Sequence, residues 1–384
     1  MLVTRPPAPE AALTDTERKI LSLTSKMRRV TQSDLAAALG LAQQSVSRLV
    51  SGLLSKGALD PADKIAGSKG YRSTAVKVRG SYAHAAGVTI SAGAVTLVII
   101  DLVGEVVLRH TAHIQPPRVD DVVRLLDEQI IKFAEATGIE IVGVGISIAG
   151  SFINARSFNT PIYLDDWAGF DIANVLGEKL QRAVWADNDG NSAALAEAAL
   201  GAGQWAPSFA YLYLGAGVGG GVVLSGEPWR GRFGNAGEFA GGLPPNIYPF
   251  PNLELLRQLL ARDGHVFETV DTMAVAYEPG WLAIDEWIAR VRDSVSIIGS
   301  NATAILDLDA IVIGGLAPTD LSTRLIEHIE LFDQRRRQVA RPVAKLIPAE
   351  VVSDAAAIGA AMLPLRARYF LPVLAGSGAP TSAG

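Results

Sequence analysis

Phe209-Ala210-Tyr211-Leu212-Tyr213-Leu214-Gly215-Ala216-Gly217-Val218-Gly219-Gly220-Gly221-Val222-Val223-Leu224-Ser225-Gly226-Glu227 is the stretch that decides the fold. Residues 209–214 read as a strand, 215–221 as a glycine turn and 221–224 as a second strand. Ser225-Gly226-Glu227 then makes a turn resembling Val103-Gly104-Glu105 far upstream. There, residues 86–90, 95–101 and 105–113 read as three antiparallel strands, so 87–107 and 209–229 form a weak internal repeat. A helix over 119–137 and an apolar strand over 141–148 follow the first copy. Residues 310–316 read as a buried strand running into a glycine turn, and 355–363 as a helix of small residues. Strands alternating with helices imply an α/β sheet. Two copies of that unit imply two lobes with a cleft between them, a common place for a ligand.

Ahead of this body the texture is helical. Thr14-Asp15-Thr16-Glu17 has capping-box spacing and opens a helix to about residue 25. Thr31-Gln32-Ser33-Asp34 starts a second helix, and Gly40 stands where it would stop in a left-handed conformation. A third runs over about 42–56, with Val46, Leu49, Val50, Leu53 and Leu54 on one stripe. Two short helices joined at a glycine describe a helix-turn-helix, whose second helix enters the major groove by its N-terminal end. Gln43, Gln44, Ser45, Ser47 and Arg48 are the groups offered there to base edges and phosphates. Ala58-Leu59-Asp60 reads as a loop and 71–78 as a strand, together a β-hairpin wing whose tip carries Lys69 and Arg72. A three-helix cap with a polar outer face is the competing reading, and a solvated hairpin tip competes for Lys69 and Arg72.

Charge favours the DNA reading. Residues 1–80 hold 13 Lys and Arg against 6 Asp and Glu, whereas the remaining 304 residues hold 21 against 33. A basic head on an acidic body fits a polyanion-binding module fused to something else. The 384 residues hold no cysteine, which removes disulfides, cysteine zinc sites and thiol catalysis. With 49% hydrophobic and 19% charged residues the chain reads as folded. Mean hydropathy is +0.26, yet its most apolar stretches are too short or too glycine-rich to span a bilayer. No signal-peptide pattern opens the sequence, so the expectation is a cytoplasmic protein without a membrane partner. The Gly/Ala/Ser/Pro-rich residues 373–384 read as disordered and Pro6-Pro7-Ala8-Pro9 as mobile.

Four places in the body could carry chemistry. Asp187-Asn188-Asp189-Gly190-Asn191 follows an apolar strand over 183–186 and precedes a helix over 192–200. A carboxylate there could accept a hydroxyl proton, and asparagine suits a polyol, although taken alone the cluster reads better as an Asx-rich helix cap. Gly215–Gly221 could cradle a phosphate or could be a tight hairpin alone. Gly237-Glu238, behind Arg230, Arg232 and Asn235, is the third place, and Glu254 the fourth.

In this order and spacing the pieces resemble the ROK family of repressors, uncharacterised reading frames and sugar kinases, over about residues 14–370. The resemblance implies a winged helix-turn-helix on a two-lobed body of the actin-like, sugar-kinase (ribonuclease H-like) type. Asn188-Asp189-Gly190-Asn191 with Glu197 resembles the family's N-D-x-N…E segment, whose Asn and Asp hold sugar hydroxyls. Gly215–Gly221 resembles its second phosphate loop. Gly237-Glu238 resembles the start of E-x-G-H, and Leu253-Glu254 the end of the cysteine-rich zinc segment; both glutamates bind sugar in the family. Asn159-Thr160-Pro161 with Trp167-Ala168-Gly169-Phe170-Asp171 resembles N-x-P…W-x-G, and Gly150 falls at a P-G loop.

Two departures bear on function. The kinases' first phosphate and metal loop, of D-I-G-G-T-K type, corresponds here to Thr89-Ile90-Ser91-Ala92-Gly93-Ala94, without the aspartate and the glycine pair. Phosphoryl transfer rests on positioning and charge neutralisation, so the chain is expected not to be an enzyme, with a sugar kinase as the alternative. The family's zinc site needs one His and three Cys. Gly241 stands at the His position and 242–251 replaces the loop, so no metal or other cofactor is expected. Tyr248 or Phe250 could supply a stacking face instead. The resemblance thus implies a sugar-responsive regulator, a homodimer or dimer of dimers on a DNA operator. Gly150, Asn159, Asn188, Asp189, Glu238 and Glu254 would face the sugar effector. Domains are expected at 1–80, at 81–200 completed by about 355–372, and at 201–354.

Overall fold

A computed structural model describes residues 12–66, 72–154, 156–244, 246–332 and 342–372, and of 64–66 and 72–73 the backbone alone. The proposed Lys69 contact and the terminal segments 6–9 and 373–384 therefore lie outside the described residues, as does the side chain of Arg72.

The head is a winged helix-turn-helix made of α1 (Asp15–Met27), β1 (Val30–Thr31), α2 (Gln32–Leu39), α3 (Gln43–Ser55), β2 (Leu59–Ala66) and β3 (Arg72–Val78). The capping box forms as read, with Glu17 N–H donating to Thr14 Oγ at 3.3 Å and Thr14 N–H to Glu17 Oε2 at 2.8 Å. Gly40 ends α2 at φ +64°. One expectation fails. Ala58-Leu59-Asp60 is not a loop, because Ala58 and Leu59 are fully buried and Leu59 pairs with Val78 at the start of β2. Pro61 is tolerated within that strand because the sheet order β1-β3-β2 puts β2 at an edge.

The body holds two five-stranded sheets. The lobe built on the first contains β4 (His84–Ile90), β5 (Val95–Asp101), β6 (Val106–Ala112), then α4 (Val119–Thr137), β7 (Ile141–Ile148), a separate two-stranded hairpin of β8 (Ser151–Phe152) and β9 (Phe158–Asn159), α5 (Ile172–Leu180), β10 (Val184–Asn188) and α6 (Asp189–Leu200). The second contains β11 (Phe209–Leu214), β12 (Val218–Leu224), β13 (Glu227–Pro228), then α7 (Leu253–Arg262), α8 (Val270–Val275), α9 (Ala283–Leu306), β14 (Ala310–Gly315), α10 (Thr319–Ile326), β15 (Lys345–Pro348) and α11 (Ala355–Tyr369). Their orders, β6-β5-β4-β7-β10 and β13-β12-β11-β14-β15, are the same topology twice: an antiparallel three-strand meander extended by two parallel strands. The weak repeat in the sequence is thus a structural repeat.

Both faces of these sheets are covered, as strands apolar on both sides require. Along β5, Leu97 and Ile99 pack with residues of α4, while Val98 and Ile100 belong to the cluster containing α11. The helices that close the two repeats are exchanged. Besides contacting each other, α6 packs on β12 and β11 of the second sheet, and α11 on β4, β7 and β5 of the first. Both are apolar or small around most of their circumference, which suits helices buried between sheets. Small residues bring the backbones together: a Cβ on Gly359 of α11 would stand 1.7 Å from Ser192 O of α6, and one on Gly145 of β7 1.8 Å from Ala360 O. Gly359→Ala is therefore expected to cost about 3 kcal/mol in chemical denaturation, whereas Gly280→Ala, which meets nothing within 4 Å, stays within about 0.5 kcal/mol.

The far end of α11 holds the head. Arg18 of α1 donates to Ala367 O (2.9 Å) and Phe370 O (2.8 Å), and Leu371 N–H donates to Ser22 Oγ at 2.9 Å. Among the described residues no helix is long and apolar enough to cross a membrane.

Candidate functional site

Between the lobes lies a cleft of about 410 Å³. Its first-lobe wall comes from the end of β4 and the following turn (Thr89–Ala92), from 149–151, from 159–161 with Tyr163, and from Asp189. Its second-lobe wall comes from Tyr213, Gly215–Gly219, Glu238, Asp271 and Leu316. A second groove, at the start of α4, has its acids paired: Asp120 with Lys179, Asp121 with Arg124 and Asp166 with the Val119 amide.

Asp189 is the first residue of α6, not part of a preceding loop, so β10 delivers it directly to the cleft. Its Oδ1 accepts the Gly190 amide at 2.8 Å. Burial outweighs that bond and raises its pKa to about 6. Glu238 is also pushed up, by burial first and then by the Asp189 charge, with an opposing bond from Asn188 Nδ2 at 3.3 Å. Asn188 does not line the cleft. It is 2% exposed and its Oδ1 caps α6 through Asn191 N–H at 2.7 Å, leaving its amide to position Glu238. Gly150 and Asn159 both line the cleft. Gly150 has φ +140°, and a Cβ there would meet Asn159 O at 2.6 Å, so glycine lets these two loops close on each other.

Other expectations need correction. Glu254 does not line the cleft; Arg257 takes both its oxygens at 2.7 and 2.8 Å and, with Gln258, holds its carboxyl below the ordinary value against burial. Asp187 is turned away as well: it is 1% exposed, ion-paired with Arg230 at 2.5 Å and bonded to Asn191 Nδ2. Glu197 lies deep in the core and accepts the amides of Ala202, Glu350 and Val351, tying α6 to the chain after β15. The turn in 215–221 is shorter than the sequence implies. It covers 215–217, and Gly219–Gly221 are in β12, where a Cβ on Gly220 would meet Gly237 O at 2.7 Å and one on Gly221 would meet Ala194 Cβ at 2.7 Å. Tyr248 and Phe250 are not among the lining residues; Tyr163 and Tyr213 supply the aromatic surface.

Three lining residues, Tyr163, Tyr213 and Asp271, were not singled out from the sequence. Burial raises the pKa of both tyrosines, and nearby Asp189 adds to it, so both phenols stay protonated as donors. Asp271 sits in α8, a helix inside a stretch whose sequence carries no motif.

The residues present do not fit a zinc ion. The chain has no cysteine, Gly241 lies in a 3-10 turn, and among the described residues no three His, Asp or Glu gather as ligands.

In the head, Gln43, Gln44, Ser45 and Arg48 are exposed at the start of α3 and Ser47 is half-buried. Gln43 Nε2 donates to Ser33 Oγ across the turn at 3.3 Å. No side chain caps α3, and its first turn carries no acid, so its positive end is open to a phosphate.

Comparison with known proteins places the chain. Residues 85–246 match the ROK family and residues 13–59 a winged helix-turn-helix DNA-binding family. The chain is 30% identical to the uncharacterized protein y4fQ of Sinorhizobium fredii, over 97% of this chain and 96% of that one. It is 24% identical to the xylose repressor of Caldicellulosiruptor bescii, over 54% of this chain and 53% of that one. A crystal structure of a ROK family transcriptional regulator, a homologue of the E. coli MLC protein, superposes with a TM-score of 0.62 at 20% identity, covering 92% of this chain and 95% of that one. A ROK glucokinase from Streptomyces griseus, in complex with glucose and AMPPNP, gives 0.57 at 20% identity, covering 73% and 98%; at such identity these two share the fold. The chain belongs to the ROK family, and carries a winged helix-turn-helix DNA-binding domain ahead of the ROK body.

Proposed function

We propose that the chain is a sugar-responsive transcriptional repressor of carbohydrate uptake or catabolism genes, acting in the cytoplasm as a homodimer on a pseudo-palindromic operator. Asn159, Asp189 and Glu238 would meet the hydroxyls of a sugar in the cleft, and Asn188 would position Glu238. Glu254 could join them only by leaving Arg257. The xylose repressor among the relatives, and the regulator among the solved structures, support the repressor branch. The observation that carries the reading is one continuous route through the chain: α6 starts at Asp189 in the cleft and packs on α11, and α11 ends against Arg18 of α1. A ligand that prefers one lobe arrangement can thereby shift the head, provided its affinities for the two states differ.

The test is a gel shift of the full chain on DNA upstream of its own gene, at fixed salt and with excess unrelated DNA. A specific complex that a sugar weakens or strengthens supports the reading; a complex indifferent to a broad sugar panel sinks its sugar-responsive part. Arg18→Ala is expected to preserve both binding events and to cut the sugar's effect on DNA affinity at least threefold.

One observation favours a second reading. A carboxylate with a pKa of about 6 suits a general base for phosphoryl transfer to a sugar hydroxyl. Thr89 and Ser91-Ala92 speak against it, since they replace the groups that would hold metal and phosphate. Sugar-dependent ATP turnover lost in Asp189→Ala would establish it.

A further inference from the structure

The end of the cleft corresponding to the kinases' first phosphate loop is built in a way that turns anions away. The Ser91 amide, which would face a phosphate, donates instead to Ala94 O at 3.0 Å, and the Ser91 hydroxyl donates to the same oxygen at 2.9 Å. In the opposing glycine turn the Gly215 amide is likewise used, by Gly217 O at 3.0 Å. The first turn packs against the second lobe: a Cβ on Gly93 would stand 2.9 Å from Thr269 Cγ2, at the start of α8. Two residues on, Asp271 brings its carboxylate into the cleft near Ser91. Asp189 and Glu238 line the same space, and no Lys, Arg or His lines it among the described residues. The other polar side chains offered to a ligand are neutral, among them the Thr89 hydroxyl, which makes no hydrogen bond among the described residues, Asn159 and the two protonated tyrosines. A phosphate brought here would meet three carboxylates in a partly desolvated cleft that no cationic side chain lines among the described residues.

We propose that Asp271 is a specificity-determining residue that bars phosphorylated ligands, so that the effector is an unphosphorylated sugar or amino sugar. This rests on the cleft being the effector site. Asp271 reaches the cleft from α8, in the lobe opposite Ser91, so one side chain both meets the turn and supplies the charge.

The test is thermal-shift titration of the full chain at constant ionic strength with glucose, xylose and N-acetylglucosamine, each beside its phosphate ester, and with pyrophosphate. Wild type, Asp271→Asn and Asp271→Ser are compared, with circular dichroism to show that each is folded. Polyanion binding by the basic head contributes equally to all three. At least one free sugar is expected to bind wild type ten times more tightly than its ester. Both variants should tighten ester and pyrophosphate binding at least tenfold. A wild type that binds an ester as tightly as the parent sugar overturns the proposal, as do folded variants that discriminate like wild type. Should no sugar bind any form while the variants alone gain pyrophosphate, the anion barrier stands and the sugar reading fails. No gain of any anion by either variant overturns the barrier itself.

Discussion

Replacing Gln44 and Arg48 together by alanine is expected to weaken specific operator binding at least about thirtyfold, with sugar binding and thermal stability unchanged. Both side chains are exposed at the start of α3, on the face opposite the buried Val46, Val50 and Leu53, so nothing in the core depends on them. A good bidentate contact to a base is worth about 1–3 kcal/mol, so losing two of them spans about thirtyfold to twenty-five-thousandfold. The single variants separate two roles. A phosphate-binding Arg48 would, on removal, weaken all DNA equally and lower the salt slope by about one; a base-reading Gln44 would cost discrimination and leave the slope alone. Operator affinity unchanged in the double variant would show that α3 is not the recognition helix. The open N-terminus of α3 argues against that outcome, since a purely structural cap has no reason to leave its amides without an Asx or Ser partner.

The reach of the sequence follows from the range of the interactions involved. The helix caps at Thr14 and Gly40 and the strand at 209–214 are local, decided by side chains three or four residues apart, and they were legible. The local pattern at Leu59 is that of a loop because its partner Val78 is 19 residues away and the helix that packs on its strand is α3. The motifs located Asp189, Glu238, Gly150 and Asn159 in one cleft, since residues at strand ends of a doubled α/β unit meet there. They could not show that Arg257, one turn along α7, withdraws Glu254, or that Asn188 spends its oxygen on capping α6. Asp271 and Tyr163 were invisible for the complementary reason. Each reaches the cleft from a segment whose own pattern is only that of a helix start or an aromatic loop, and only tertiary packing gives them a role.

Asp189→Asn is expected to lower sugar affinity at least a hundredfold while making the unliganded protein more stable at pH 8. Both effects have one cause. Burial raises the carboxyl from 3.8 to about 6, so folding favours its protonated form. That contribution is complete below the unfolded value near 3.8 and is lost as the pH climbs through about 6, so at pH 8 the folded chain carries a carboxylate it would rather not hold. A shift of about two units corresponds to at most about 3 kcal/mol, and partial solvent access brings the expected gain on neutralisation to about 1–2 kcal/mol. The same desolvated carboxylate, which has one bond from the Gly190 amide, is what a sugar hydroxyl relieves. Ligand binding should therefore be strongest above pH 7 and weaken up to tenfold per unit below about pH 6 in the wild type, and this fall should be shallower in the variant. Glu238 is raised as well and feels Asp189, so the two titrate together and the measured midpoint belongs to the pair. Calorimetric titrations at pH 5, 6, 7 and 8, beside denaturation midpoints at the same values, read both arms. A variant that binds sugar like wild type would remove Asp189 from the site. A variant that loses binding without gaining stability at pH 8 would mean that the carboxylate is already satisfied in the unliganded cleft, leaving the sugar nothing to relieve.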